Sequence, residues 1–308
     1  MSYYRKVIRI QATDSPNVRR ELLRQQGVPE SEWPPETPGV LTWAEYQQRR
    51  ATWDKIRQCI GLDADFYEGA ELLLFPPEWL NRAEQLAELL RGKPRKAKAI
   101  GCDPGEGGAN SAWCVVDEFG ILEMLSLKTP DTTVVPSTTA MLMRKWDVPA
   151  ERVILDRGGG GKQHADTLEA QGLKVRSVGF GASPTLEIKR GIHSIEARRD
   201  VQEERYVYVN LRAQMFHEAS LLLDPARTDG SFAISAEYTA LRHQLSVMPK
   251  LTDAEGRYWL PPKSKRDEKD TRKTLVEMIG HSPDEADAYV LAIHGMLHKS
   301  KRAQARAF

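Results

Sequence analysis

The chain has 308 residues, 41% apolar and 28% charged, which is typical of a folded globular protein and excludes a disordered or fibrous one. The formal net charge of +1 gives no general attraction to phosphate, so any nucleic-acid contact must come from local basic segments. No apolar run reaches the roughly 20 residues of a membrane-spanning helix, and the N-terminus lacks the apolar centre of a signal peptide. We therefore expect a cytoplasmic protein.

Residues 1–95 are predicted to form a small, mostly helical attachment. The segment GVLTWAEYQQRRATWDKIRQCIG has helical periodicity after Thr42, a candidate N-cap, and predicts packing roles for Trp43 and Trp53. A second helix is predicted from Pro77 to Gly92. The cysteines Cys59, Cys102 and Cys114 form no CxxC pair, which favours buried thiols over a zinc site or a disulfide framework.

Residues 96–308 alternate between strand and helix patterns. AKAIGCDPG and SAWCVVDEFGILEMLSL predict a three-stranded meander, RVILD predicts a buried strand and KVRSVGF another strand. Helices are predicted between and after them, with an edge strand at GRYWLPP and a last helix from Pro283 to about His298. The expected fold class is α/β, a mixed central sheet flanked by helices.

Two aspartates follow predicted strands directly and precede glycines. Asp103 lies in IGCDPGEGG and Asp156 in VILDRGGGG. The apolar residues hold each strand in the core, whereas the glycines allow a sharp turn and leave room for a ligand beside the carboxylate. Each aspartate alone could equally cap a following turn or helix.

The last helix carries two further carboxylates in its first turn. Ser282 is a candidate N-cap with Pro283 as the first helical residue, and Asp284 and Asp287 project from nearly the same face. Asp284 is accounted for by the helix dipole alone, whereas Asp287 lies next to the buried face. Together with Asp103 and Asp156, Asp287 could bind two divalent cations about 3.5 to 4 Å apart, the arrangement used in phosphodiester hydrolysis.

The ordered set GCDPGEGG, ILDRGGGG, YVNLRAQMF and SPDEADAYVLA resembles the RNase H-like nuclease domain of phage terminase large subunits. The resemblance spans residues 97–296, and residues 1–95 are similar to the connection between ATPase and nuclease in that family. It implies a two-metal-ion endodeoxyribonuclease using Mg²⁺ or Mn²⁺ that cuts double-stranded DNA with low sequence specificity during viral genome packaging in the host cytoplasm. It also implies Asp103, Asp156 and Asp287 as catalytic metal ligands, with Asp284 as an accessory. Asp166 could be a second accessory, but a place on a solvated helix face is favoured for it.

The chain departs from the family in lacking a P-loop. GGGGKQ at residues 158–163 resembles the end of a P-loop GxxxxGK[ST]. Aligned on Gly161 and Lys162, however, the chain has Asp156 where the loop needs its first glycine and Gln163 where it needs serine or threonine. No ATPase activity is therefore expected from this chain. It could be a fragment, a domain or a split subunit, and its partners could include a separate packaging ATPase, a small terminase subunit and a portal.

Basic segments near the acidic motifs are candidates for DNA contact, although charge runs are more often solvated surface. EIKRGIHSIEARRD could form a flap, PPKSKRDEKDTRK precedes the last acidic motif, and the C-terminal KSKRAQARAF is also basic. In YVNLRAQMF, Asn210 and Arg212 could orient the core or the nucleic acid, and Asn210 could equally begin a helix. The predicted DNA-binding residues are Lys189, Arg190, Arg198, Arg199, Lys263 and Lys265.

Two other functions stay open at this point. Another RNase H-like nuclease, of the resolvase or transposase type, would use the same carboxylates, but the order of elements favours the terminase type. A non-catalytic docking module of a packaging motor would keep the fold without the metal chemistry, so metal binding distinguishes it. The histidines show no metal-ligand spacing, and His294 and His298 are read as one face of the last helix.

Overall fold

The computed structural model of the chain divides into two compact units, Met1–Leu72 and Leu73–Phe308. The boundary lies before the helix predicted from Pro77, whereas the sequence placed it at residue 95; the linking role of residues 1–95 stays a prediction. The structure describes residues 10–53, 58, 61–64, 73–105, 110–131, 133–158, 160–184, 208–226, 230–253, 256–265 and 273–298.

The first unit contains helices α1 (Pro16–Gln25) and α2 (Trp43–Thr52). Thr42 begins α2 as predicted, because its hydroxyl accepts the N–H of Glu45 while the Glu45 carboxylate accepts the N–H of Thr42. Asn17 and Thr37 exchange two hydrogen bonds of 2.9 and 2.8 Å, which attach α1 to the segment before α2. Side-chain bonds of this kind support a unit in which Val18 and Leu62 are the buried residues among those described.

The second unit is built on a five-stranded mixed sheet in the order β3-β2-β1-β4-β5. Strands β1, β2 and β3 are antiparallel, and β4 and β5 continue the sheet in parallel with β1. This confirms the predicted meander and the predicted α/β class. The strands are β1 (Ala99–Asp103), β2 (Asn110–Asp117), β3 (Gly120–Lys128), β4 (Val153–Asp156) and β5 (Arg176–Val178).

Helices cover both faces of the sheet because alternate strand residues point to opposite sides. The helices among the described residues of this unit are α3 (Pro77–Leu90), α4 (Val134–Trp146), α5 (Gly161–Ala170), α6 (Leu211–Leu221), α7 (Thr239–Ser246), α8 (Leu275–Ile279) and α9 (Asp284–Leu297). On one face, Ile100 and Trp113 pack with α4 and α5; on the other, Ala99 and Cys114 pack with α6, α7 and α9.

Two smaller expectations have definite outcomes. The edge strand predicted at GRYWLPP is only β7 (Tyr258–Trp259), and it pairs with β6 (Leu251–Thr252) in a separate two-stranded sheet. The buried-thiol prediction is confirmed for Cys102 and Cys114, whereas Cys59 lies outside the described residues. Within the described part of the chain, no helix is both long and apolar enough to cross a membrane.

Helix α9 is the central helix of the second unit and is buried from Glu285 to Gly295. It approaches β1 closely because Gly101 has no side chain: a Cβ there would lie 2.1 Å from the carbonyl oxygen of Ala288. The prediction of Ser282 as its N-cap is wrong, because the helix begins after Pro283 without a side-chain cap. The buried Gln244 of α7 supports the first turn instead, accepting the N–H of Ala286 at 2.8 Å and donating to Glu285.

Candidate active site

Asp103 and Asp156 lie at the carboxyl ends of two neighbouring parallel strands. Cys102 and Leu155 are paired across β1 and β4, so the aspartate that follows each of them lies at the same edge of the sheet. Asp103 is buried, with 3% of its surface exposed, and Asp156 is partly buried. The turn after β4 needs glycine, because a Cβ at Gly161 would lie 1.7 Å from the carbonyl oxygen of Asp156.

The first turn of α9 brings Asp284 and Asp287 to the same place. Asp287 is fully buried, and its carboxylate accepts two hydrogen bonds of 2.8 and 3.1 Å from the guanidinium of Arg212 on α6. Arg212 is itself 8% exposed and lies over the rings of Phe180 and Phe216. A buried carboxylate needs such a partner, and the pair fixes α6 against α9.

Lys263 joins these carboxylates into one cluster. Its ammonium nitrogen lies 3.3 Å from Asp103, 3.4 Å from Asp284 and 3.3 Å from Asp287. The lysine side chain is 40% exposed, so the cluster opens to solvent on its side. Lys263 is one of the predicted DNA-binding residues. Its charge lies among the carboxylates, and direct contact with DNA stays a prediction.

The electrostatics of the cluster reflect an excess of negative charge in a buried place. Burial, and then the charge of Asp287, raise the pKa of Asp103 well above its ordinary value, although Lys263 opposes this. Burial also raises the pKa of Asp156, against hydrogen bonds from the main chain of Gly158 and Arg157. Burial lowers the pKa of Lys263, but the carboxylates of Asp287, Asp103 and Asp284 raise it. The net shift of the Lys263 pKa is upward.

This donor set fits hard divalent cations. All four acidic side chains offer oxygen only, which Mg²⁺ and Mn²⁺ prefer, and an ammonium already lies where a positive charge is favourable. Among the described residues, no three of these carboxylates have ligand oxygens within 4.8 Å of one another. Asp103, Asp284 and Asp287 lie around Lys263. Binding of ions would therefore require the lysine to move or the carboxylates to approach one another.

The other predicted site residues lie elsewhere or outside the described residues. Lys265 pairs with Glu277 at 2.9 Å, and Asp166 pairs with Lys162 at 3.4 Å on an exposed face of α5. Asn210 is the N-cap of α6, which confirms the prediction that it begins a helix. Lys189, Arg190, Arg198 and Arg199 belong to the proposed flap, which falls among residues 185–207 outside the described structure.

The roles of Gly101 and Gln244 near the cluster were not predicted from the sequence. Nor was the position of Lys263 beside the aspartates. Arg212 carried a detectable signal, since it is the charged residue of the mostly apolar segment LRAQMF, and a charged residue that is buried needs a partner. The Lys263 contacts could not be read from spacing, because Asp103 is 160 residues away in the chain. Local periodicity carries no information about that distance.

The mixed five-stranded sheet with helices on both faces is an α/β fold of the RNase H-like type. The chain has the fold of the nuclease domain of the large terminase subunit of bacterial virus Sf6, with a TM-score of 0.52, 19% identity, and coverage of 72% of this chain and 98% of that one. A point mutant of that domain with manganese and β-thujaplicinol gives the same TM-score at 17% identity and the same coverage.

The same domain with calcium also matches, with a TM-score of 0.52 and 17% identity over 72% of this chain and 99% of that one. At these identities the likeness establishes the fold. No protein-family model matches the sequence, and no curated protein does so either.

Proposed function

We propose that the chain is a metal-dependent endonuclease that cleaves double-stranded DNA with little sequence preference, as the nuclease of a terminase does in viral genome packaging. One observation carries the proposal. Asp103 and Asp156 end two neighbouring parallel strands of a sheet of this fold. The first turn of α9 brings Asp284 and Asp287 near Asp103, and Lys263 contacts all three. The Sf6 domain is a nuclease domain whose structures contain manganese or calcium. This supports both the nuclease activity and the metal dependence that are proposed.

Asp103, Asp156 and Asp287 are the proposed ligands of two Mg²⁺ or Mn²⁺ ions, with Asp284 as an accessory. Bound there, the ions would supply an activated water and stabilise the leaving oxygen of the phosphodiester. Arg212 holds Asp287 in position by two hydrogen bonds, and the rigid strand ends hold Asp103 and Asp156. Lys263 balances part of the carboxylate charge and can turn outward on its exposed side toward a phosphate.

The packaging setting is part of the proposal. Without a P-loop, movement of DNA would have to come from a separate ATPase, and the small terminase subunit and the portal would be further partners. Residues 1–95 would then correspond to the connection to that ATPase. A resolvase or transposase activity would use the same carboxylates but would prefer branched or sequence-specific DNA, which a comparison of substrates can reveal.

The test is cleavage of supercoiled plasmid with Mn²⁺ or Mg²⁺, with a chelator as the blank. Asp103→Asn and Asp156→Asn should each remove cutting, with a loss larger than the roughly 10- to 100-fold that follows removal of a group supporting a metal ligand. Asp166→Asn is the matched control, because Asp166 is exposed and paired with Lys162 at 3.4 Å on α5. It should cut like the parent protein.

Two outcomes would count against the proposal. Full activity in folded Asp103→Asn protein would remove the carboxylate cluster as the site. Intact plasmid with every metal, together with no Mn²⁺ binding by calorimetry, would favour a docking module in which Lys263 stays among the carboxylates.

A further inference from the structure

A second group of ligand-type side chains lies between α6 and α9, away from the aspartates. His294 and His298 are one turn apart on α9, and Glu218 lies on α6. One ligand atom from each of the three lies within 4.8 Å of the other two. The Nε2 atom of His298 is 3.0 Å from both carboxylate oxygens of Glu218. Two imidazoles and a carboxylate thus converge on one point.

His294 is the member whose environment calls for a further partner. It is 1% exposed, and its Nδ1 has no hydrogen-bond partner among the residues that the structure describes. Burial, and then the neighbouring His298 and Arg176, lower the pKa of His294 to about 3, so the ring is neutral at ordinary pH. A neutral imidazole has one nitrogen with a free electron pair, which is the form that binds a metal ion.

The surroundings hold the three side chains in place. Gln214 donates to Glu218 at 2.8 Å, which orients the carboxylate. Arg176 donates to the carbonyl of His298 at 2.7 Å, and Arg152 donates to the carbonyl of Gly295 at 2.8 Å. The two arginines thereby fix the last turn of α9 through its main chain. Among the described residues, the charged side chains that contact the group or its main chain include Glu218, Arg176 and Arg152.

We propose that Glu218, His294 and His298 bind a divalent transition metal ion of the zinc class, separate from the carboxylate site. Two histidines and one carboxylate are a common zinc ligand set, with water completing a tetrahedron. Nitrogen donors favour Zn²⁺ or Co²⁺, whereas the all-oxygen aspartate cluster favours Mg²⁺ or Mn²⁺. Asp287 and His294 are seven residues apart on α9, about 10 Å along the helix axis.

The ion would join the same two helices that carry Arg212 and Asp287. Those two residues connect α6 to the first turn of α9, and the metal would connect α6 to its last turn. The proposed ion therefore has a structural role, fixing the orientation of the helix that presents Asp284 and Asp287 to the cluster. The inference does not depend on the nuclease function.

The test is titration of the full chain with Co²⁺ after chelation and dialysis, followed by visible absorption and by measurement of bound metal. An Asp103→Asn, Asp156→Asn background removes binding at the carboxylate cluster. We expect one equivalent of Co²⁺ with a spectrum of low coordination number, displaced by Zn²⁺ but not by Mg²⁺. Zn²⁺ should also raise the thermal unfolding midpoint.

His294→Gln and Glu218→Gln, made in that background, should each weaken Co²⁺ binding at least tenfold and abolish the Zn²⁺ effect on unfolding. Glu218 is 17% exposed, so its variant keeps the test available where the buried histidine variant does not fold. His281→Gln, at an exposed histidine outside the group, should bind like the parent. Absence of Co²⁺ binding, or equal binding in the Glu218→Gln protein, would overturn the site.

Discussion

Lys263 places one ammonium among three carboxylates, and this makes it a competitor of any metal ion that binds there. Each cation in the cluster lowers the favourable potential available to the next. A lysine on a half-exposed segment can leave with little loss of packing, whereas the buried aspartates cannot. In the proposed nuclease, Lys263 would therefore stabilise the metal-free protein and would be displaced when ions bind.

Replacing Lys263 by glutamine should have opposite effects on metal binding and on stability. Mn²⁺ should bind about tenfold more tightly, equivalent to about 1.4 kcal/mol, because the competing charge is gone. Without metal, the free energy of unfolding should fall by about 1 kcal/mol, a small value because the lysine is partly solvated. Calorimetry and urea unfolding measure the two quantities.

Lys265→Gln is the control for the lysine prediction, since Lys265 pairs with Glu277 and not with the aspartates. It should leave Mn²⁺ affinity unchanged. Equal Mn²⁺ affinity in the Lys263→Gln protein and its parent would show that the lysine and the ion do not share a place.

The raised pKa of Asp103 predicts a specific pH dependence. Since its pKa in the folded protein is above the unfolded value near 3.8, the carboxyl group contributes stability that is fully present below that value. The contribution is lost as pH rises from about 4 through the folded pKa. Lys263, whose pKa is also raised, contributes a constant amount over this range, because it is charged in both states.

The measurement is unfolding of metal-free protein between pH 4 and pH 8, compared with Asp103→Asn. The parent should lose stability relative to the asparagine variant as pH rises, and Mn²⁺ should restore it by binding the ionised form. A difference between the two proteins that is independent of pH would contradict the assigned direction.

Helix α9 contributes two of the four carboxylates, so its distance from β1 controls the geometry of the cluster. Gly101 sets that distance, because main-chain atoms of Ala288 and Ala292 occupy the space of a side chain. The helix has a weak start of its own, with no side-chain cap, and relies on Gln244 and on burial of its length. Its position is thus determined by packing more than by its own end signals.

Gly101→Ala should lower the free energy of unfolding by about 3 kcal/mol, at the upper end for overpacking, because the new Cβ would meet rigid main chain at 2.1 and 2.3 Å. It should also weaken Mn²⁺ binding by separating Asp287 from Asp103. Gly179→Ala is the control, since a Cβ there meets nothing within 4 Å and no positive φ is involved. Similar unfolding curves for the two variants would mean that α9 adjusts freely.

Many strands and helices of both units could be predicted because each depends on a local pattern. VILD followed by glycines predicts β4 and its turn, and Thr42 predicts the start of α2. What could not be predicted depends on pairs distant in sequence. Arg152 bonding to Gly295 and Lys263 bonding to Asp103 are contacts of this kind, and so is the meeting of Glu218 with His298. The aspartates were found because strand ends and glycines mark them locally.

At the scale of the whole molecule, a net charge of +1 limits how DNA can be held. The carboxylate cluster repels phosphate, so affinity must come from basic segments placed beside it. The described candidates are already engaged: Lys263 faces aspartates and Lys265 faces Glu277. The remaining basic candidates are Lys189, Arg190, Arg198 and Arg199 of the proposed flap, which lie outside the described residues.

Binding of a short duplex at several salt concentrations, with Ca²⁺ in place of a catalytic metal, tests this. If Lys189 and Arg190 each meet a phosphate, changing both to alanine should reduce the slope of log affinity against log salt by about 1.8, since each contact contributes about 0.9. The matched control changes Arg24 and Arg91 to alanine, which removes the same charge from residues already paired with Glu21 and Glu88. A slope that falls equally in both double variants would assign the effect to total charge, because a specific interface loses only the contacts that belong to it.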